Sequence, residues 1–296
     1  MDGGSGTGLA VRQLSGGGRE IGGFTGPAGS KIFSVAHLPA GPPTGAVLLC
    51  PALYSEQLTN YRTEVLLTRA LASSGVASVR FQYRGTGNSD DLPDRHPTFA
   101  TMAEDASVAE EWLADLAGLP ATAFIGVRLG SLVAAHAVAA RPGLGLCCIE
   151  PALEGSRWFR ELTRARRTAA LRRARDAAAD DVRSLEELGE FDAFGFRVGW
   201  PTASSIRERT LEGELGASPR PVLLVQIAVA AELRRDLAEW ADRWREGGAP
   251  VHTVNVRQSR SWWFVPDAWE IEEQRPETVE LIDAVVSWLA IERVAS

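Results

Sequence analysis

The feature that most constrains this sequence is a regular alternation of short apolar runs and longer helical patterns. Each run is rich in β-branched, leucine or aromatic residues and stops at turn-forming residues. Continuous rather than alternating apolarity is typical of strands buried on both faces, as in a parallel sheet. The predicted strands are 45–52, 77–85, 121–127, 145–152, 221–228 and 251–258.

Helical patterns fill the intervals between these runs. Strand and helix in alternation predict an α/β protein with a doubly wound, mostly parallel sheet. The stretches 19–26 and 31–39 are predicted to form a β-hairpin that leads into the sheet. The predicted helices are 60–74, 102–116, 129–140, 232–245 and 276–290.

One interval, 154–220, is too long for a plain crossover and too short for a core of its own. We interpret it as a helical cap inserted after the sixth strand of the sheet, with 19–153 and 221–296 forming the core domain and 1–18 a flexible Gly-rich tail. The arginine-rich part of the predicted cap is expected to be a solvated helix face. The alternative is a basic lid that faces a substrate.

Composition excludes several classes of function. The chain of 296 residues has a net charge of −7, which argues against a general affinity for nucleic acid or anionic membranes. No apolar run approaches the roughly 18 residues needed for a membrane span, and the start lacks a signal-peptide pattern. Three cysteines form no disulfide framework, which favours a cytoplasmic location. No metal-ligand or nucleotide-binding spacing occurs, so no cofactor is expected.

The stretch "FIGVRLGSLVAAH" at 124–136 is the most informative local pattern. A β-branched run ends in Gly-x-Arg-x-Gly and opens directly into a helical pattern. This is the layout of a nucleophile elbow, a tight strand-to-helix turn that usually presents a serine. Here Arg128 stands at the centre, flanked by Val127 and Leu129, both of which are predicted to contact a substrate. A guanidinium stays protonated and cannot attack a carbonyl.

From about residue 19 to its end, the chain resembles the α/β-hydrolase superfamily. The elbow falls on the fifth strand, "YRGTGNSDD" follows the fourth, "DASVAEEWLADL" precedes the elbow strand, and "IEPALEGSRWFRELTRAR" enters the cap. Within the superfamily the chain is most similar to the exosortase-associated, serine-aminopeptidase-like hydrolases, one branch of which also has Gly-x-Arg-x-Gly. Glu56, Asn60 and Arg62 resemble the Glu…Asn-x-Arg segment of that group. The resemblance implies an α/β-hydrolase fold and acyl-type substrates.

The chain departs from the catalytic triad of these hydrolases, whose order is Ser, acid, then His after the last strand. The segment "RQSRSWWFVPDAW" in that last place contains no histidine. The four histidines lie elsewhere and are predicted to be structural or loop residues: His37, His96, His136 and His252. Only the acid position has candidates, namely Glu232 or Asp236 after the seventh strand and Glu150 at the end of the sixth. A Ser-triad hydrolase is therefore not expected.

Arg128 is predicted to project into the crevice at the carboxyl ends of the strands, at a helix N-terminus that favours anions. Its guanidinium would form a bidentate grip on a carboxylate or phosphate. A buried charge needs a counter-ion, for which Glu150, Glu232 and Glu56 are candidates. The alternative is an internal ion pair of Arg128 with Glu150 or Glu56 that fills a pocket which binds no ligand.

Further residues are predicted to line this pocket. Tyr54 and Ser55 follow the third strand, and the last loop offers the aromatic side chains Trp262 and Trp263, followed by Phe264. For the aromatic residues, packing beneath the cap is the alternative. Two other possible nucleophiles, Cys50 and Ser131, lack an evident base and are interpreted as core and helix residues.

Three functional interpretations result. In the first, which we favour on sequence alone, a repurposed enzyme holds a small carboxylated or acyl molecule with Arg128, while Glu56, Tyr54 or Glu232 moves protons. In the second, an inactive pseudo-hydrolase binds a ligand or a protein partner. In the third, an esterase or thioesterase uses a relocated nucleophile. The sequence indicates no oligomeric state.

Overall fold

The computed structural model describes residues 9–94, 96–173, 189–217, 219–257 and 276–295. These residues contain a sheet of nine strands in the order β1-β2-β3-β5-β4-β6-β7-β10-β11, and a separate hairpin, β8-β9. The strands are β1 Ala10–Gln13, β2 Arg19–Thr25, β3 Ile32–Leu38, β4 Gly45–Cys50, β5 Val76–Phe81, β6 Ala123–Val127, β7 Gly145–Ile149, β8 Glu190–Ala193, β9 Phe196–Gly199, β10 Val222–Ile227 and β11 Val251–Val256.

All five predicted helices are present, and three shorter or cap-region helices accompany them. They are α1 Ser55–Ser73, α2 Phe99–Ala117, α3 Gly130–Ala139, α4 Gly155–Arg173, α5 Trp200–Arg207, α6 Leu211–Leu215, α7 Arg235–Glu246 and α8 Pro276–Ala295. Two helix bounds differ from the prediction by five residues: α1 starts earlier, after Tyr54 turns the chain at a φ of 58°, and α8 ends later, at Ala295.

The predicted sheet is confirmed. Strands β4, β5, β6, β7, β10 and β11 pair in parallel, whereas β2 and β3 form the expected antiparallel hairpin and β3 pairs antiparallel with β5. Every residue of β4 is buried, as expected for a strand covered on both faces.

The core lies on both faces of the sheet. Leu48 of β4 belongs to the cluster that α2, α3 and α7 cover. Its neighbour Leu49 belongs to the opposite cluster, which α1 and α8 cover. Because successive side chains of a strand point to opposite faces, the same apolar run supplies both clusters. No helix in the described ranges has the length and apolarity to cross a bilayer.

The predicted tail, 1–18, requires a correction. Ala10–Gln13 form the edge strand β1, which pairs antiparallel with β2. All four side chains of β1 are exposed. The strand is therefore held through backbone hydrogen bonds to the free edge of β2, which need no apolar side chains and leave no signal in the composition.

The interval predicted as a cap holds α4, the β8-β9 hairpin, α5 and α6 in its described parts. Helix α4 packs through Trp158 and Leu162, whose exposed fractions are 1% and 0%. Residues 174–188, in the second half of the arginine-crowded stretch, lie outside the described residues. The division into core domain and cap thus stays a prediction.

Candidate functional site

The site is built around the turn between β6 and α3, where Arg128 has a φ of 53°. Residues other than glycine seldom adopt this left-handed conformation. Three backbone hydrogen bonds hold the turn: Arg128 N–H donates to Ile149 O, and the N–H groups of Ser131 and Ala152 donate to Arg128 O. The end of β7 therefore fixes the direction of the Arg128 side chain.

The two glycines of Gly-x-Arg-x-Gly allow close packing around this turn. A Cβ atom on Gly126 would lie 2.3 Å from Ser131 Cα, and one on Gly130 would lie 2.3 Å from the carbonyl oxygen of Cys50. Helix α3 thus approaches the backbone at the end of β4 more closely than any side chain permits. The spacing of the motif has a steric reason at both ends.

We expect Gly130→Ala to lower the free energy of unfolding by about 1–3 kcal/mol, because the new methyl group must displace backbone. The matched control is Gly41→Ala, since no atom lies within 4 Å of a Cβ at that exposed position. Urea unfolding of both variants measures the difference. Equal losses in the two variants would contradict the close approach of α3.

The guanidinium of Arg128 is buried, with 1% of the residue exposed. Its Nε donates to Glu56 Oε1 at 3.0 Å, Nη1 donates to the main-chain oxygen of Glu150 at 3.3 Å, and Nη2 donates to Glu161 Oε2 at 2.8 Å. Burial disfavours the charged form, but the carboxylates of Glu56 and Glu161 outweigh it and raise the pKa of Arg128. The side chain therefore remains a cation in the folded protein.

Glu56 is the fully buried partner of this cation. Its second oxygen, Oε2, accepts a hydrogen bond from Trp158 Nε1 at 2.8 Å. Burial raises the pKa of Glu56, while the Arg128 charge and the Trp158 N–H limit the rise. Of the three counter-ions predicted for Arg128, Glu56 is the one whose carboxylate makes the contact.

The other two predicted counter-ions lie elsewhere. Glu150 contacts Arg128 through its main-chain oxygen, and its carboxylate accepts hydrogen bonds from Ile227 N–H and, at 3.1 Å, from Arg234 Nη1. Glu232 has an exposed side chain. Its carboxylate has no contact with Arg128 among the described residues, and its assignment to the site stays a prediction.

Sequence reasoning missed Glu161, on α4. Its Oε1 accepts a hydrogen bond from Arg157 Nε at 3.1 Å while its Oε2 accepts the one from Arg128. Burial would raise the pKa of Glu161, but the two guanidinium groups outweigh it and lower the pKa. The i,i+4 spacing of Arg157 and Glu161 was a signal for an ion pair. Nothing in the spacing indicated that this helix face lies over the turn.

Tyr54 contacts the elements of the predicted cap. Its hydroxyl lies 3.2 Å from Thr202 Oγ1, and its ring packs 5.9 Å from the ring of Phe196. Burial raises the pKa of Tyr54 to about 12. The hydroxyl of Tyr54 therefore keeps its proton, and the side chain joins the turn after β4 to the cap elements.

The remaining predicted pocket residues divide into three groups. Val127 and Leu129 are buried and pack in the hydrophobic clusters on opposite faces of the sheet, and their assignment to substrate binding stays a prediction. Ser55 is partly buried, and its Oγ has no hydrogen-bond partner among the described residues. Three aromatic residues of the last loop lie outside the described residues: Trp262, Trp263 and Phe264.

The two alternative nucleophiles occupy core positions, as interpreted from the sequence. Ser131 Oγ donates to Gly126 O at 3.0 Å. Cys50 is fully buried, and burial raises the pKa of its thiol. Among the histidines, His37 bonds to Glu20 and His136 to Glu214. The described contacts thus give neither Ser131 nor Cys50 an imidazole partner.

A cleft of about 590 Å³ opens beside α4, a volume within the range of small-molecule sites. Glu161 stands between this cleft and Arg128, because one residue lines the first and bonds the second. The described lining is one face of the helix: Glu154, Arg157, Arg160, Glu161 and Arg164. This arrangement agrees with the alternative in which the basic helix faces a ligand.

Comparisons with solved structures show the α/β-hydrolase fold. Est1E from Butyrivibrio proteoclasticus with ferulic acid bound has a TM-score of 0.62 and 16% identity, covering 92% of this chain and 99% of that chain. An α/β serine hydrolase without a lid from Xanthomonas campestris has a TM-score of 0.54 and 14% identity, and the match covers 96% of this chain and 94% of that chain. An α/β serine hydrolase homologue from Coxiella burnetii has a TM-score of 0.53 and 14% identity, and the match covers 94% of this chain and 98% of that chain.

No protein-family model matches the sequence, and no curated protein matches it significantly. The expected fold is confirmed. At these identities a common fold carries no activity with it, because the same scaffold supports many chemistries.

Proposed function

We propose that this protein uses the α/β-hydrolase scaffold without Ser-His-acid chemistry and binds a small molecule that carries a carboxylate. The proposed site is the cleft beside α4, with Arg128 as the cationic anchor. The observation that carries the proposal is the pairing of buried Arg128 with Glu161, a residue of the cleft wall. A ligand in the cleft would be one side chain away from a permanent positive charge.

Several features argue against hydrolysis by a triad. Arg128 occupies the position where the resemblance puts the nucleophile, and a guanidinium has no lone pair for attack on a carbonyl. The chain after β11 has no histidine between 257 and 275 to act as a general base. Cys50 and Ser131 are fully buried in the core. The interpretation as an esterase with a relocated nucleophile therefore has no support from these residues.

The positions of the Glu56 and Glu161 carboxylates, on opposite sides of Arg128, favour ligand binding over a purely structural ion pair. Glu56 neutralises the charge of Arg128 from the buried side. Glu161, whose side chain is 34% exposed, adds a second contact from the cleft side. A guanidinium has five donors in a planar fork that suits carboxylates, so Arg128 is able to hold one internal and one external anion together.

A repurposed enzyme remains the second candidate, on one observation. Burial raises the pKa of Glu56, which gives a carboxyl group beside Arg128 some tendency to hold a proton. In that case Arg128 would stabilise an oxyanion and Glu56 would move the proton. We rank it below binding because both oxygens of Glu56 already accept hydrogen bonds, and because Tyr54 and Glu232 do not fit the role.

The test is a thermal-shift and calorimetric screen of small carboxylic acids against their methyl esters. We expect carboxylates to stabilise the protein and the esters to have no effect. Arg128→Met is expected to abolish the binding, whereas Arg141→Met keeps it, since Arg141 pairs with Glu110 and contacts the ring of Phe124. Equal binding of acids and esters, or binding that survives Arg128→Met, would contradict the proposal. Turnover of an acyl compound that Glu56→Gln abolishes would favour the enzyme.

Arg128→Ser, which restores the usual residue of the elbow, is expected to create no esterase. The hydroxyl would have no imidazole to take its proton, and an unactivated serine is a weak nucleophile. Hydrolysis of p-nitrophenyl acetate should stay at the buffer rate, and a fluorophosphonate probe should leave the protein unlabelled. The double variant Arg128→Ser/Ser131→Ala is the control for stray reactivity. Labelling of the single variant would show that a general base lies at the turn.

A further inference from the structure

The strongest further feature is a chain of alternating charges that runs from the buried turn to the cleft. Glu56 pairs with Arg128, Arg128 with Glu161, and Glu161 with Arg157. Arg157 continues to Asp236. The chain thus joins three elements, the start of α1, the elbow turn and α4, to the first turn of α7.

Beyond Asp236, the chain of charges continues to Arg234, which donates to both Asp236 and Glu150, and it ends at Glu150. The seven members include four carboxylates and three guanidinium groups, so the chain carries one surplus negative charge. If Glu161 leaves it, three carboxylates face three guanidinium groups. Each guanidinium group keeps one carboxylate partner whichever of the four carboxylates leaves, and among them Glu161 is the one that both lines the cleft in its described part and has a partly exposed side chain.

Each arginine beside Glu161 keeps another partner. Arg128 retains Glu56 at 3.0 Å, and Arg157 retains Asp236. Glu161 itself is partly exposed, and it lies on a helix face that lines the cleft. Rotation of its side chain into the cleft would cost two charge-assisted hydrogen bonds but would bury no uncompensated charge.

We propose that Arg128 and Arg157 form a carboxylate subsite, and that Glu161 occupies it as an intramolecular stand-in for the ligand. Its two oxygens lie where a ligand carboxylate would receive hydrogen bonds, 2.8 Å from Arg128 Nη2 and 3.1 Å from Arg157 Nε. A ligand carboxylate replaces Glu161 one for one, so the charge of the chain does not change. The inference rests on the proposed function, since it specifies where the ligand binds and that the ligand competes with the carboxylate of Glu161.

The positive charge of the cleft supports this exchange. Arg160 and Arg164 line it on the same helix face, three and seven residues after Arg157. Arg160 is exposed and forms no ion pair with a carboxylate of the described residues. A displaced Glu161 would enter a cleft with cations nearby, which lowers the cost of its movement.

The experiment is rescue of Glu161→Ala by acetate, measured as the midpoint of thermal unfolding in sodium acetate against sodium chloride at equal ionic strength. We expect acetate to raise the midpoint of Glu161→Ala more than that of the wild type, with an apparent affinity about tenfold or more higher in the variant because the internal competitor is gone. Glu161→Gln, which preserves shape, should show a smaller rescue.

The matched control is Glu110→Ala, which removes a carboxylate from Arg141 far from the cleft and should not respond to acetate. Addition of Arg157→Met to Glu161→Ala should abolish the rescue. Absence of rescue in both Glu161 variants, or rescue that persists without Arg157, overturns the subsite. If carboxylates then still bind the wild type through Arg128, the proposed function stands without the subsite. If rescue occurs but the screen finds no ligand, the subsite stands and the proposed function fails.

Discussion

Glu56→Ala is expected to lower the free energy of unfolding by about 3–5 kcal/mol, the usual cost of removing one partner from a buried ion pair. Arg128 would lose the contact that neutralises it from the buried side, and Trp158 Nε1 would lose its acceptor. Glu161 remains, but its side chain is partly exposed and is shared with Arg157. Chemical denaturation followed by circular dichroism measures the loss.

A double variant separates the charge from the packing. Arg128→Met/Glu56→Met removes both charges and leaves apolar side chains of similar length. Replacing a buried pair in this way is often neutral or stabilising, so we expect the double variant to recover most of the loss. The control is Glu110→Ala, whose pair with Arg141 is partly exposed and should cost no more than about 1 kcal/mol. If Glu56→Ala costs as little as this control, Glu56 does not hold Arg128.

The second large effect concerns a buried polar cluster between α1 and strands β3 and β5, away from the cleft. Glu64 is fully buried, and burial raises its pKa to about 7 although the charge of Arg80 opposes the rise. Burial, with the charge of Arg80, lowers the pKa of His37 to about 4, against the pull of Glu20. Arg69 also contacts Glu20 and faces the same cluster.

These two shifts act on stability with opposite signs. The raised pKa of Glu64 means that the folded state holds a proton which the unfolded state releases above pH 4.5, so stability falls as the pH rises from 4.5 to about 7. The lowered pKa of His37 means that the unfolded state takes up a proton below pH 6.5, so stability falls as the pH drops from 6.5 to about 4. Between pH 4.5 and 6.5 the two contributions offset each other.

Removing either Glu64 or His37 should reveal how the other residue makes the free energy of unfolding depend on pH. Relative to the wild type, Glu64→Gln is expected to gain stability with rising pH by about 1.4 kcal/mol per pH unit, or about 3 kcal/mol between pH 4.5 and 6.5. His37→Gln should lose stability with rising pH by a similar amount. Urea unfolding at several pH values measures both, and the double variant should return to the profile of the wild type. Slopes of the same sign in the two single variants would contradict the assignment.

Much of the fold was predictable from the sequence because it depends on local patterns. Continuous apolar runs such as Gly45–Cys50 indicate strands that are covered on both faces, and the alternation with helices indicates a parallel sheet. The edge strand Ala10–Gln13 was missed because its pairing uses only backbone groups. The Gly-x-Arg-x-Gly turn was recognisable because both of its glycines are required where the neighbouring backbone leaves no room for a Cβ atom.

The site was predictable only in part, because it joins residues that are distant in the chain. Glu56 was one of three counter-ions proposed for Arg128, and sequence reasoning had no means to choose among them. Trp158 settles part of the choice, since it bonds Glu56 and anchors α4 in the core. Glu161 was missed because packing decides which face of α4 lies over the turn.

The sequence by itself determined the parallel sheet, the tight turn after β6 and the presence of a cation where the resemblance leads one to expect a nucleophile. These follow from periodicity, from glycine sterics and from the chemistry of one side chain. Only the tertiary structure decided which carboxylates neutralise Arg128 and that one of them borders the cleft. The reason is that electrostatic energy depends on distance and burial in space, and the crossing of α4 over the turn creates both.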